Sequence, residues 1–162
     1  MSKNIKISLP LILIFTLFVQ IETPFSQSRC SIGGVSINFG NYNIFSPSPT
    51  DSIGMINLNC ENVPWVDLKL GVSSTSGTFN PRRMKRSGGS DVLEYNIFID
   101  ATRTVIFGDG TGGTQTIRVH KPPGTPAKAP WSSQVTIYAR IPPGQDVPAG
   151  GYSDSLTITV DW

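Results

Sequence analysis

The sequence predicts an all-β domain, an immunoglobulin-like β-sandwich. Three observations carry that expectation. Apolar and polar residues alternate through most of the chain, glycine and proline are abundant (16 and 13 of 162 residues), and only 15% of residues are charged, against roughly 25% in average globular domains. From Arg29 onward no apolar set recurs at helical spacing over three turns. Short alternating runs cut by turn residues imply a sandwich or barrel rather than a parallel sheet with crossover helices. The sandwich leads because such alternation supplies two apolar faces to pack together.

The first element stands outside the fold. Lys3 and Lys6 precede an apolar run from Ile7 to Ile21, broken only by Ser8, Pro10, Thr16 and Gln20. A basic start, an apolar core and then small polar residues read as a secretory signal over residues 1–28. Ser26 and Ser28 suit a cut before Arg29, and a cut after Ser26 is the other choice. At about 15 residues the run is short for a membrane span, which needs roughly 20. An uncleaved anchor is the alternative. No second apolar run follows, so no stable membrane span is expected in the exported chain, a single domain over 29–162.

Export decides how the cysteines read. Cys30 and Cys60 are the two cysteines of the chain, and an even pair in an oxidising compartment implies a disulfide. Closing a loop of about 30 residues stabilises the fold by roughly 3.6 kcal/mol on the chain-entropy account. A reactive thiol or a metal site is the alternative, although two Cys and one His cannot complete a four-ligand zinc site without carboxylates.

The strands follow from parity. Ile56, Leu58 and Cys60 share one face, as do Val66, Leu68 and Leu70. Leu93, Tyr95, Ile97 and Ile99 form a third set, and Val135, Ile137, Ala139 and Ile141 a fourth. The chain closes on Leu156, Ile158, Val160 and Trp162, separated by polar residues. Weaker strands are expected at residues 35–39, 105–107 and 116–119. Turn clusters at 46–49, 73–77, 87–90, 108–113, 121–130 and 142–151 divide them.

Candidate chemistry is sparse. Thirteen basic against eleven acidic residues give +2, too balanced for a nucleic-acid binder that works through counterion release. His120 is the single histidine; it abuts Lys121, Pro122 and Pro123 and reads as a loop-edge residue rather than a general base. Asp91, Glu94, Asp100 and Asp109 lie close in sequence, and a glycosidase needs two carboxylates at a suitable separation. Glu94 alternates with core positions, however, and is expected on a solvated strand face. The glycine-rich run 108–113 invites a phosphate-loop interpretation, but a polar β segment follows instead of a helix. Arg82, Arg83, Lys85 and Arg86 form one dense basic patch without interleaved aromatics. It is expected as a solvated hairpin between Phe79 and Val92, with attraction of an anionic polymer as the alternative. No catalytic, cofactor-binding or metal-ligating residue is assigned, and no cofactor is expected.

Several fragments occur in an instructive order. Cys30 opens a Cys-x-x-Gly-Gly-x-x-Ile-x-Phe-Gly stretch that ends on Phe39 and Gly40, with Tyr42 just after it. Gly54, Ile56, Leu58 and Cys60 then supply the second half-cystine. Arg83 and Met84 precede Leu93, Tyr95, Ile97, Ile99 and Asp100, with Phe107 to Gly110 after them. Val135 through Pro142 and the run Gly151, Tyr152, Ser153, Asp154 come last. This order resembles the spore coat protein U domain family, which includes pilin subunits of archaic chaperone–usher pili.

The resemblance implies a secreted, non-enzymatic structural subunit of a surface fibre or coat. Its sandwich would be incomplete, the final strand being supplied first by a periplasmic chaperone and then by a neighbouring pilin subunit, with an outer-membrane usher as a further partner. Leu156, Ile158, Val160 and Trp162 would then line the assembly strand, or serve as ordinary core. Few residues separate the expected cut from Cys30, and residues 23–29 contain Pro24 and alternate poorly. A subunit that accepts a strand but does not donate one, at a fibre tip or terminus, is the expectation. The alternative is a self-contained secreted sandwich that binds a glycan or surface ligand through its loops.

Overall fold

The longest alternating run makes the longest strand. In the computed structural model, which describes residues 27–162, β2 (Thr50–Glu61) buries Ile56, Leu58 and Cys60 and exposes the residues between them. It pairs antiparallel with β7 (Trp131–Ile141), from Thr50 opposite Ile141 to Cys60 opposite Trp131. Around this pair lies a six-stranded sheet. β1 (Arg29–Ile32) covers the far end of β2; β5 (Val92–Phe98), β4 (Arg82–Arg86) and the short β8 (Tyr152–Ser153) extend the other side. The export signal and its cut fall outside the described residues, apart from residues 27 and 28.

A second, three-stranded sheet sets β3 (Trp65–Leu70) between β6 (Ile117–His120) and β9 (Ile158–Asp161), all antiparallel. Val66, Leu68 and Leu70 of β3 are buried, together with Leu93, Tyr95 and Ile97 of β5 and Ile137, Ala139 and Ile141 of β7. The parity sets named from the sequence are therefore the inward faces, and they form one core. No helix occurs among the described residues. The chain is an all-β sandwich, as its alternation predicts. Cys30 and Cys60, opposite one another in the β1–β2 register, form the disulfide.

Three local expectations need correction. Residues 35–39 keep the alternation, with Val35, Ile37 and Phe39 turned inward, yet they pair with no strand among the described residues. Gly33 still bonds to Asn57, but by Asn38 the contact with β2 is a side-chain one, the Ser52 hydroxyl donating to the Asn38 carbonyl. Along this stretch Ile37 occupies the space over Gly54, where a Cβ would stand 2.7 Å from Ile37 Cγ1 and 3.2 Å from Ile137 Cγ1. Residues 105–107 make isolated bridges to Phe98 and Gln115 rather than a strand.

The third correction concerns the basic patch. Residues 82–86 are strand β4, and Arg82 is completely buried. Its guanidinium donates to Asn96 Oδ1 (2.7 Å) and to the carbonyls of Phe107 (2.8 Å), Gly71 (3.0 Å) and Phe79. A five-donor planar fork can tie four separate segments in this way, which a lysine cannot. Burial holds the Arg82 pKa below its ordinary value. Charge density along the sequence concealed an internal tie.

A candidate strand-accepting groove

The final stretch of chain is bonded along one edge. Gly151 O accepts from Ser87 N, β8 pairs with Lys85 and Arg86, Thr157 O accepts from Gly71 N, and β9 pairs with β3. β8 and β9 are nevertheless edge strands of their two sheets. Across from them runs the unpaired segment 35–39. Two confluent clefts, of about 300 and 640 Å³, lie between these two rims. Ile37, Phe39, Met84 and Tyr152 line both. The smaller cleft is floored by Leu70, Tyr95, Ile97 and Ile137 and walled by Leu156 and Ile158.

The rims of the groove are less buried than the sheet centres. Inward residues in the middle of each sheet are almost wholly buried, whereas Val35, Ile37, Phe39, Leu156, Ile158 and Val160 are only half-buried. Trp162 shares their parity but is 52% exposed. Leu156 and Ile158 thus border the smaller cleft, while Val160 and Trp162 lie outside both linings.

One charged group lines the clefts among the described residues. Asp154 has the inward parity of Tyr152, Leu156 and Ile158 and lines the smaller cleft. Its Oδ1 accepts from the Ser74 hydroxyl (2.7 Å) and the Ser155 amide (2.9 Å), and its Oδ2 accepts from the Tyr95 hydroxyl (2.9 Å). Burial pushes the Asp154 carboxyl up, but the bonds from Ser74, Ser73 and Tyr95 outweigh it and hold it below the ordinary range. Burial, with help from Asp154, raises the Tyr95 hydroxyl far above its ordinary value. Phe39 meets the same Tyr95 ring edge-on at 5.9 Å, fastening one rim to the floor.

The residues weighed for other chemistry are dispersed into structural roles. His120 ends β6 on the surface, opposite Trp65. Glu94 pairs with Arg83 (2.8 Å) and Asp91 with Arg86 (3.1 Å), so the remainder of the basic patch is largely neutralised. Asp100 accepts from the Thr102 and Thr104 hydroxyls and from the Thr104 and Val105 amides, and these bonds, led by Thr102, lower its pKa. Asp109 caps Thr111 within the loop 108–113. Gly110, Gly112 and Gly113 take positive φ there, so their abundance serves a turn. No group of three or more His, Cys, Asp or Glu side chains gathers among the described residues.

The model of the Spore Coat Protein U domain matches residues 14–159. The chain belongs to that family. Protein U of Myxococcus xanthus is 27% identical over 146 residues, spanning 81% of this chain and 76% of its own. Among solved structures, a chain of the CsuC–CsuE chaperone–tip adhesion subunit pre-assembly complex, from the archaic chaperone–usher Csu pili of Acinetobacter baumannii, superposes with a TM-score of 0.57 at 22% identity. That match covers 84% of this chain but 40% of the Csu chain, and it shows a common fold. Sequence reasoning identified the family's strands and cysteines; it missed the roles of Asp154 and Tyr95, whose only signal is a polar group at a core parity, and of Asn96, which has the opposite parity and gives no signal.

Proposed function

We propose that this chain is a non-enzymatic structural subunit of a surface fibre, assembled by accepting a β-strand from another protein into the groove between residues 35–39 and 152–160. The observation that carries this is that the open edges of β8 and β9 face the unpaired segment 35–39 across two clefts. An extended segment there would become a fourth strand beside β9, and its alternate side chains would enter the clefts. It would also complete the burial of Val35, Ile37, Phe39, Leu156 and Ile158, which are only half-buried. Leu156, Ile158, Val160 and Trp162 are in this view the acceptor's own assembly strand.

The partners that fit are a periplasmic chaperone, which lends a strand during export, an outer-membrane usher, and the neighbouring subunit whose strand takes over. The archaic pilus subunit of like fold and the family membership support the same route through the periplasm to the cell surface. An end position in the fibre is part of the proposal: residues 23–29, with Pro24 and little alternation, make a poor donor strand.

Exporting the chain with and without its cognate chaperone tests the proposal. With it, a soluble one-to-one complex is expected; alone, the chain should aggregate or be degraded, because bare edges and apolar clefts invite association. A lone chain that is monomeric and unfolds cooperatively would overturn the assembly reading.

A further inference from the structure

The groove carries a single charge among the described residues, and that point constrains what fills it. It is Asp154, in linings whose other polar residues are uncharged, among them Ser36, Ser153, Asn38, Asn41 and Asn43. An ionised carboxylate offers about four acceptor sites. Ser74, Ser155 and, at 3.5 Å, Thr75 donate to Oδ1, while Tyr95 donates to Oδ2. A strand laid over the smaller cleft would remove water from the remaining site on Oδ2. Burying an ionised oxygen without a compensating partner is costly. Arg82, the nearest buried cation, spends its guanidinium on Asn96 and three carbonyls and makes no hydrogen bond to Asp154.

We infer that the strand accepted by this groove presents a hydrogen-bond-donating side chain, a hydroxyl or an ammonium, at the single inward position that faces Asp154, with apolar side chains at its other inward positions. The inference rests on the strand-accepting reading and adds the chemistry of the occupant. Strand edges supply affinity for any extended segment; Asp154 supplies register. A donor slipped by two residues would seal an apolar side chain over the carboxylate and place its polar side chain in an apolar cleft.

Synthetic strand peptides test this directly. The parent carries valine at five inward positions and soluble residues between them. Five further peptides each replace one inward valine by threonine, which keeps the shape and adds a hydroxyl. Each is offered to the oxidised chain during refolding, and affinity is read by competition against the labelled parent. Threonine should weaken binding about tenfold where it enters an apolar cleft, and should match or exceed valine at one position only. Asp154→Leu should abolish that exception. Tyr95→Phe, which frees a second acceptor site on Oδ2 and leaves Asp154 in place, should strengthen it and covers the case in which Asp154→Leu fails to fold. If threonine weakens binding equally at all five positions, the inference is wrong while the groove stands. If no peptide binds, the strand-accepting reading fails and takes this one with it.

Discussion

The side chain of Gln145 pairs with the backbone of Glu94 as a neighbouring strand would. The Glu94 amide donates to Gln145 Oε1 at 2.7 Å, and Gln145 Nε2 donates back to the Glu94 carbonyl at 2.9 Å. The cause lies in β7. Its register with β5 sets Arg140 opposite Asn96, and two residues on it would set Pro142 opposite Glu94. Proline has no amide hydrogen to give. Gln145 fills the place, and its own amide donates to the Tyr42 hydroxyl, which in turn donates to the Pro142 carbonyl. Gln145→Ala should therefore lower stability by about 1–3 kcal/mol, the cost of leaving partly buried backbone groups unpaired. Gln145→Glu should be similarly harmful, because it cannot donate to the Glu94 carbonyl. A shift in urea midpoint at constant slope is the expected readout; midpoints matching wild type in both variants would remove the role.

Arg82 should tolerate no simple replacement. Arg82→Ala leaves the carbonyls of Gly71 and Phe107 without this partner and Asn96 Oδ1 with the Ile97 amide alone, and a loss of about 2–5 kcal/mol is expected for buried acceptors left unpaired. Arg82→Lys should recover little of it, since one ammonium cannot reach four segments. By contrast Arg83→Ala, which breaks an ion pair about 40% exposed on both sides, should change stability by less than about 1 kcal/mol. Equal effects at 82 and 83 would contradict the buried tie.

Reduction of Cys30–Cys60 should cost about 2–5 kcal/mol. β1 is only four residues long, and the disulfide fastens it to the far end of β2. The loss should therefore appear first as faster amide exchange in β1 and in the half-buried segment 35–39 that follows it. Exchange that accelerates uniformly through β2 and β7 instead would show the bridge acting on the whole domain.

Acid should weaken the fold through its carboxylates. Asp51 and Asp67 are held below the ordinary value of 3.8 chiefly by hydrogen bonds from Arg140 and Arg118 respectively, and Asp154 is lowered as described above. A depressed folded pKa contributes stability that is fully present above the unfolded value and lost as pH falls through the folded one. The urea midpoint should thus change little from neutrality to about pH 5 on account of these groups and fall below about pH 4. Asp51→Asn should flatten part of that fall. Stability that grew on acidification below this point would reverse the sign and refute the assignment.

Gly54→Ala probes the divergence of the rim from β2. Its Cβ would stand 2.7 Å from Ile37 and force that side chain aside. The segment 35–39 should move, and a bound strand peptide should dissociate faster than from wild type, with β2–β7 exchange protection unchanged. Unaltered dissociation would show that Ile37 does not shape the groove.

Period-two alternation was enough to specify the two-sheet core, because parity alone decides which side chains face inward once a strand forms. Leu93, Tyr95, Ile97 and the β2 and β7 sets were legible for that reason, and so was the pairing of Cys30 with Cys60. Local composition was misleading at Arg82: a run of basic residues looks solvated until Gly71, Asn96 and Phe107, from three other segments, converge on it beside its neighbour Phe79. The groove was beyond the sequence for a related reason. Residues 35–39 alternate as a paired strand does, and only packing over Gly54 shows that they leave β2. Asp154 likewise sits at a core parity, and its partners Ser74 and Tyr95 are 80 and 59 residues away. The sequence by itself determined which faces are apolar, since that is written residue by residue; the tertiary structure decided which strand edges stay open and where a charge is held, since both depend on contacts between segments far apart in the chain.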